Sequence, residues 1–385
     1  MRFSVPGMKG DERAIAATIV GLSGCQWRDL QNVAGLESGG MMARKKDELL
    51  DRSLTRRDLL KAGALGTVGL AAGGSVLAIP GLGQSSTGQA QDHATHHDMM
   101  TVGNIAPGSF DPSAFLTHFD TGKVSRLASG QVLREYELVA EDREIEVAPG
   151  VFFPAWTYNG QVPGPTIRCT EGDRLRVRFV NKGSHSHSIH FHGIHPSGMD
   201  GAFEPVRAGQ SFVYEFDAAP FGLHLYHCHT VPIKRHIHKG LYGAFIIDPK
   251  QGRPPAREMV MVMNGFDTNL DGENEVYAVN TVAFHYQKYP IQVRKDELTR
   301  VYLVNVTEFD LLNSFHLHGN LFRLYRTGTD LERYEWTDIV ALCQGERAVL
   351  EFTYKHPGPF MFHAHQSEFA ELGWSGIFLV QAPLV

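Results

Sequence analysis

The second half of this chain repeats the first, and that constrains the fold more than any other feature. The stretch "EGDRLRVRFVNKGSHSHSIHFHG" (171–193) corresponds to "RKDELTRVYLVNVTEFDLLNSFHLHG" (294–319). Each is a charged turn, a run ending in Val-Asn, a loop, and His-x-His-Gly. "SFVYEFDAAPFGLHLYHCH" (211–229) corresponds in the same way to "AVLEFTYKHPGPFMFHAH" (348–365). A repeat of this length implies two copies of one folding unit, each of about 125 residues, a normal single-domain size. The expected domains are 130–252 and 256–385, joined through the Pro- and charge-rich "DPKQGRPPARE".

The local pattern sets the fold class. "REIEVAPGVFFPAWTYNG" and "DRLRVRFVN" alternate apolar and polar side chains between Gly, Pro and Asn turn signals. No long segment carries a helical period. The chain therefore reads as all-β, each unit a sandwich or barrel. The 40 glycines and 19 prolines suit many turns. A net charge of −6 argues against nucleic acid or an anionic membrane surface as partner.

The front of the chain reads as targeting. Residues 1–90 form an N-terminal extension with a signal region, in which Arg56-Arg57 precedes a Gly/Ala-rich apolar run too weak for a membrane anchor. A twin arginine is a receptor-read address for export of a folded protein, to the periplasm or beyond, with no membrane span left in the mature chain. Met41 or Met42 would give a signal of normal length, and Ala90 is a candidate cleavage point. Residues 91–129 read as a linker; its His93, His96, His97, Met99 and Met100 could pick up copper, but read first as a solvated tail.

Histidine is the unusual count: 20 in all, 16 of them after residue 180. Because side chains alternate along a strand, His190 and His192 share a face, as do His227 and His229, His316 and His318, and His363 and His365. Eight imidazoles in four couples exceed the needs of one ion. They suit a cluster of two or three, of copper, zinc, iron or nickel. Cys228, between His227 and His229, points to the other face and belongs to a second site. His187 precedes His190 by an odd offset and turns to that face, and His236 follows the cysteine by eight residues. Two His and one Cys are the ligands of a blue copper electron-transfer site. A zinc site is the rival, though structural zinc favours more cysteines. Leu241 stands where a weak axial ligand would, which raises the reduction potential relative to a thioether donor. His185 and His238 are rival histidine ligands. Of the other cysteines, Cys169 and Cys343 could pair or remain two buried thiols; Cys25 lies ahead of the signal.

In "HSIHFHG", "YHCH", "FHLHG" and "FHAH" the chain resembles the multicopper oxidases, in particular the two-domain, laccase-like group, over about residues 130–385. The resemblance implies two cupredoxin-like Greek-key domains. It also implies four coppers per chain, a type 1 ion feeding a cluster of one type 2 and two type 3 ions. By position His187, Cys228 and His236 look like type 1 ligands, and His190 and His316 like type 2 ligands. His192, His227, His229, His318, His363 and His365 look like type 3 ligands. Asp200, in "GMDG", matches the family's proton-delivering carboxylate. In the second half Asn313 and Ala364 replace His187 and Cys228, so a single type 1 site is expected, in the first domain.

Related two-domain proteins are homotrimers with clusters between subunits. The implied activity is oxidation of a small reducing substrate, a phenol, an aromatic amine or a metal ion, coupled to reduction of dioxygen to water. Copper nitrite reductase is the near rival, but it would leave His229, His363 and His365 surplus. A non-enzymatic copper carrier would need only the cysteine site.

Overall fold

The computed structural model describes residues 110–382. The first domain contains β1 (Lys123–Arg126), β2 (Val132–Ala148), β3 (Val151–Tyr158), β4 (Ile167–Thr170), β5 (Arg174–Asn181), β6 (His190–Phe191), β7 (Ser211–Asp217), β8 (Gly222–His227) and β9 (Tyr242–Asp248). The second contains β10 (Arg257–Phe266), β11 (Val276–Val279), β12 (Ile291–Arg294), β13 (Thr299–Asn305), β14 (Leu312–Leu317), β15 (Phe322–Arg326), β16 (Glu335–Thr337), β17 (Ile339–Cys343), β18 (Arg347–Phe352), β19 (Gly358–His363) and β20 (Ser375–Gln381). Helices are brief: α1 (Pro112–Phe115), α2 (Ile233–His238), α3 (His285–Lys288) and α4 (Ser367–Glu371). This is the all-β, cupredoxin-like architecture expected from the alternating runs.

Each domain is two facing sheets. In the first, β1-β2-β5-β7, with β3 against β2, faces β4-β9-β8-β6. In the second, β11-β10-β13-β18-β15-β16 faces β12-β20-β19-β14-β17. The repeat holds down to strand direction. The β2–β5 and β4–β9 pairs are parallel, and so are their counterparts β10–β13 and β12–β20. The strand "RLRVRFVN" shows why the sequence folds this way: Leu175, Val177 and Phe179 are buried, while the arginines between them are not.

The two domains share a core. Phe153, Leu223, Leu225 and Ala244 of the first pack with Val260, Val262, Tyr302 and Val349 of the second. A polar network crosses the same seam. Arg168 pairs with Asp248 at 2.7 Å and with Glu258 at 2.6 Å, and Glu258 also receives Arg300 at 2.9 Å. Removing one partner of such a half-buried network costs more than the pair itself contributes.

Two expectations change. Residues 110–129, read as the end of a linker, are built into the fold: β1 pairs with β2, and Asp120 bridges to Ile167. Phe115 is buried in the shared core and Leu116 among the core residues of the second domain, and these apolar anchors in a polar stretch are what the compositional reading passed over. Cys169 and Cys343 are both free; Cys169 is buried, but Cys343 is exposed on β17, so neither a bridge nor two buried thiols describes them. The twin arginine, the alternative starts, Ala90 and the 93–100 histidines and methionines lie outside the described residues.

Candidate metal centres

The first centre sits under β8. His187, Cys228 and His236 bring their ligand atoms within 4.8 Å of one another, all three buried. His236 Nδ1 lies 3.2 Å from Cys228 Sγ and 3.2 Å from His187 Nδ1. Three elements deliver them: the bridge of His187 to Val206, the end of β8, and α2. Cys228 is held from both sides, its N–H donating to the Leu241 carbonyl at 2.9 Å and its sulfur accepting from the Ser188 N–H at 3.3 Å. Leu241, fully buried, joins the same apolar cluster as Cys228. The rivals are elsewhere. His238 is buried against Phe153 and Phe309 and accepts from the Asp267 N–H at 3.1 Å, while His185 is exposed and stacks on Trp156.

The protonation states suit a metal. Burial, reinforced by neighbouring imidazoles, pulls His187 down to about 3, and burial pulls His236 to about 4, so both are neutral at neutral pH. Burial pushes the Cys228 thiol up, so a thiolate there needs a cation beside it. His187 Nε2 is buried without a hydrogen-bond partner among the described residues, and its Nδ1 faces only sulfur and another imidazole. This donor set, one thiolate and two neutral imidazoles, fits copper.

The second and third centres are copies of each other, one per domain. In the first domain His190, His192 and His227 converge; in the second, His316, His318 and His363. The strand registers match, His190 opposite His227 and His316 opposite His363. The imidazoles are oriented by the same backbone contacts. His190 Nδ1 donates to the Asp200 carbonyl and His316 Nδ1 to the Asp338 carbonyl, each at 2.9 Å. His227 Nδ1 donates to the Cys228 carbonyl at 3.0 Å, and His363 Nδ1 to that of Ala364 at 2.6 Å. Such bonds fix the tautomer and leave each Nε2 lone pair facing inward. There Nε2 meets Nε2: His192 and His227 at 3.1 Å, His318 and His363 at 2.9 Å. Burial lowers His192 to about 3 and His227 to about 4. His229 and His365 lie beside these triplets, ring centres 5.4 Å from His190 and His316 respectively. Each takes its backbone N–H to a serine hydroxyl, Ser188 at 3.2 Å and Ser314 at 2.8 Å. Among the described residues the two triplets form separate groups.

Asp200 stands against the first triplet, Oδ1 at 3.2 Å from His190 Nδ1 and 3.8 Å from His195 Nε2. Its turn requires Gly201: φ is +73°, and a Cβ there would collide with the Ile189 carbonyl. Five contributors were missed in the sequence. Trp156 covers the cysteine site, its ring 4.8 Å from His236 and 5.1 Å from His187. His195 backs Asp200, Asp338 repeats its carbonyl contact in the second domain, and the two serines hold the outer histidines. Only the serines carried a signal, as Ser188 and Ser314 each stand two residues before the first histidine of a His-x-His-Gly motif.

Known proteins resemble this chain in sequence and fold. Models of the multicopper oxidase family match residues 140–252 and 252–383. A multicopper oxidase crystal structure superposes with a TM-score of 0.69 at 54% identity, covering 70% of this chain and 97% of that one. The copper-containing nitrite reductase of Neisseria meningitidis is 29% identical over 247 residues, 58% of this chain and 63% of its own length. Laccase-9 of Arabidopsis thaliana is 40% identical over 126 residues, 29% of this chain and 21% of its own. The chain thus spans less than two thirds of the length of these curated relatives. No described helix is long and apolar enough to cross a membrane. A doubled sandwich, one thiolate site and two matched imidazole triplets agree with the family matches across both domains: the chain belongs to the multicopper oxidases.

Proposed function

We propose that the protein is a laccase-like oxidase that couples one-electron oxidation of a small reducing substrate to four-electron reduction of dioxygen to water. The observation that carries this reading is the matched pair of triplets, His190, His192 and His227 with His316, His318 and His363, each flanked by a fourth imidazole, His229 or His365. His187, Cys228 and His236 would hold the type 1 copper with Leu241 as its non-coordinating axial neighbour. His190 and His316 would hold the type 2 ion, and the remaining six imidazoles the type 3 pair. Bound copper supplies the one-electron redox chemistry.

The chain's own residues do the rest. Cys228 faces one centre, and its covalent neighbours His227 and His229 face the other, so an electron crosses a few bonds without meeting solvent. Asp200, half-buried with Oδ1 at His190, is the group placed to relay protons to reduced oxygen. The second-domain histidines are open to solvent: His318 and His365 are exposed, as are Ile339, paired with His316, and Met361, whose carbonyl accepts from the His318 N–H. Beyond the first-domain triplet Ile194 and Phe203 are exposed. These faces suit a head-to-tail ring of copies, a homotrimer, in which each cluster takes one triplet from each of two neighbours. Export by the twin-arginine route to the periplasm or outside the cell completes the proposal.

Copper nitrite reductase is the second reading, favoured by the Neisseria relative. Copper counting with parallel assays separates the two. Four coppers per chain with oxygen uptake on phenols support the oxidase; two coppers with nitrite reduction and no oxygen uptake overturn it.

A further inference from the structure

A cavity of about 600 Å³ opens between α2 of the first domain and two loops of the second, the one after β10 and the one carrying Phe309. Small-molecule sites have this size. It adjoins the cysteine centre, since Arg235 on its wall precedes His236 and lies 5.4 Å from the Trp156 ring that covers both type 1 histidines.

Its two walls differ in charge. The α2 wall carries Lys234, Arg235 and Lys239. Their contacts are with aromatic faces and a carbonyl. Lys234 Nζ lies 4.2 Å from the Phe309 ring centre, and Lys239 Nζ donates to the Pro154 carbonyl at 2.7 Å. The ion pairs among the described residues leave all three out. On the opposite wall the carboxylates are engaged in holding their own loop. Asp267 accepts from the N–H groups of Asp271 and Gly272, at 3.1 and 2.8 Å, and Asp271 accepts from that of Glu273 at 2.9 Å. Lys234 and Arg235 thus have no direct ion-pair partner in the cleft, with an aromatic face beside them, although Glu308 acts on Lys234 and Asp267 on the buried Lys239 at longer range.

We propose that this cleft receives the reducing substrate, and that Lys234 and Arg235 select an anionic aromatic donor, a phenol or arylamine bearing a carboxylate, over neutral or cationic ones. The inference rests on the oxidase reading. The carboxylate meets the guanidinium fork and the ammonium, and the ring lies against Phe309, within reach of the Trp156–His236 contact. With copper held at the cysteine centre, a phenol so bound would lose one electron to it and its hydroxyl proton to water. Four such oxidations supply the four electrons that, with four protons, convert one dioxygen into two waters.

The test compares two phenols of the same ring, 2,6-dimethoxyphenol and its 4-carboxylate, by oxygen uptake with the copper-loaded protein. The wild type, Lys234→Gln, Arg235→Gln, the double variant and Arg235→Lys are assayed. Taking the carboxylate-to-neutral ratio of kcat/KM within each protein cancels the donors' different potentials. The ratio is expected to fall about tenfold in the double variant, the combined effect of two partly exposed ion pairs, and to stay near wild type in Arg235→Lys. Binding of redox-inert benzoate, followed by tryptophan fluorescence, is expected to weaken in parallel. A ratio within twofold of wild type in the double variant, or a wild type that favours a cationic phenol or Mn(II), overturns the proposal while oxygen uptake leaves the oxidase reading standing. Absence of oxygen uptake with every donor overturns the oxidase reading instead, and benzoate binding then still judges the cleft.

Discussion

The two imidazole triplets of one chain form separate groups among the described residues, and the proposed ring builds each cluster from two copies. Complementation tests this. His192→Ala removes an imidazole from the first-domain triplet, and His318→Ala removes its counterpart from the second. Each residue meets its partner through Nε2, at 3.1 and 2.9 Å, and neither touches Cys228, so both variants should retain the blue cysteine centre. Alone, each variant has every cluster damaged. Mixed, an interface that joins the intact first domain of one variant to the intact second domain of the other is whole.

The yield of whole interfaces follows from counting. With random assembly of equal amounts, each interface is whole with a chance of one half times one half, so the mixture recovers about a quarter of wild-type oxygen uptake for any ring size. Selecting assemblies that contain both variants, with two affinity tags, sharpens the number. A ring of three holding both kinds always has one whole interface in three and recovers about a third; a ring of two recovers about a half. Oxygen uptake per type 1 copper is the assay. Recovery below a few per cent in doubly tagged, blue assemblies would show that each cluster is made within one chain and would refute the reasoning.

Other expectations follow from single contacts. Ser188→Ala and Ser314→Ala each strip the acceptor from an outer histidine's N–H and should each cost about 1–2 kcal/mol in denaturant unfolding of the copper-free protein. Cys228→Ser should abolish the blue absorption and sharply reduce oxygen uptake while leaving three coppers per chain by elemental analysis. Leu241→Met, which offers a thioether next to the cysteine centre, should lower the type 1 reduction potential in a redox titration. His224 is buried and pulled down to about 4 by burial, against about 6.5 when unfolded. The unfolded chain then takes the proton first, so stability present above pH 6.5 is lost as pH falls towards 4, by up to roughly 3 kcal/mol. His224→Gln should flatten that slope in pH-dependent unfolding.

The sequence spoke most clearly where a repeat and a strand period coincide. The four His-x-His pairs and the opposite facing of Cys228 follow from alternation alone. The ambiguity between His236 and His238 had a physical origin. In a strand the two would share a face, whereas in α2 they lie about 200° apart, so only one can meet the cysteine. A six-residue helix in a β chain leaves too little period to read. Trp156 lies 72 residues before Cys228 and reaches it only through the packing of β3 beneath the centre. Asp338 lies 22 residues after His316, while Asp200 lies 10 after His190, so unequal loops hid their equivalence.

The second domain shows how the position of the cysteine centre is filled where its three side chains are replaced. Equivalence can be traced through the backbone. Cys228 N–H donates to Leu241, whose own N–H donates to His236; Ala364 N–H donates to Trp374, whose own donates to Phe369. His187, Cys228, His236 and Leu241 therefore answer to Asn313, Ala364, Phe369 and Trp374. Loss of the sulfur would orphan the N–H that points at it, the one on Ser188, and an unsatisfied buried donor costs about 1–3 kcal/mol. In the second domain that N–H, on Ser314, donates at 2.8 Å to the side chain of Asn313. The space is closed by apolar rings, Phe369 stacked on Tyr277 at 4.0 Å and Trp374 fully buried. Replacing Ala364 by cysteine would thus restore a thiol without imidazoles and without room. Among the described residues the second domain thus lacks a counterpart of the cysteine centre through its packing as well as its side chains.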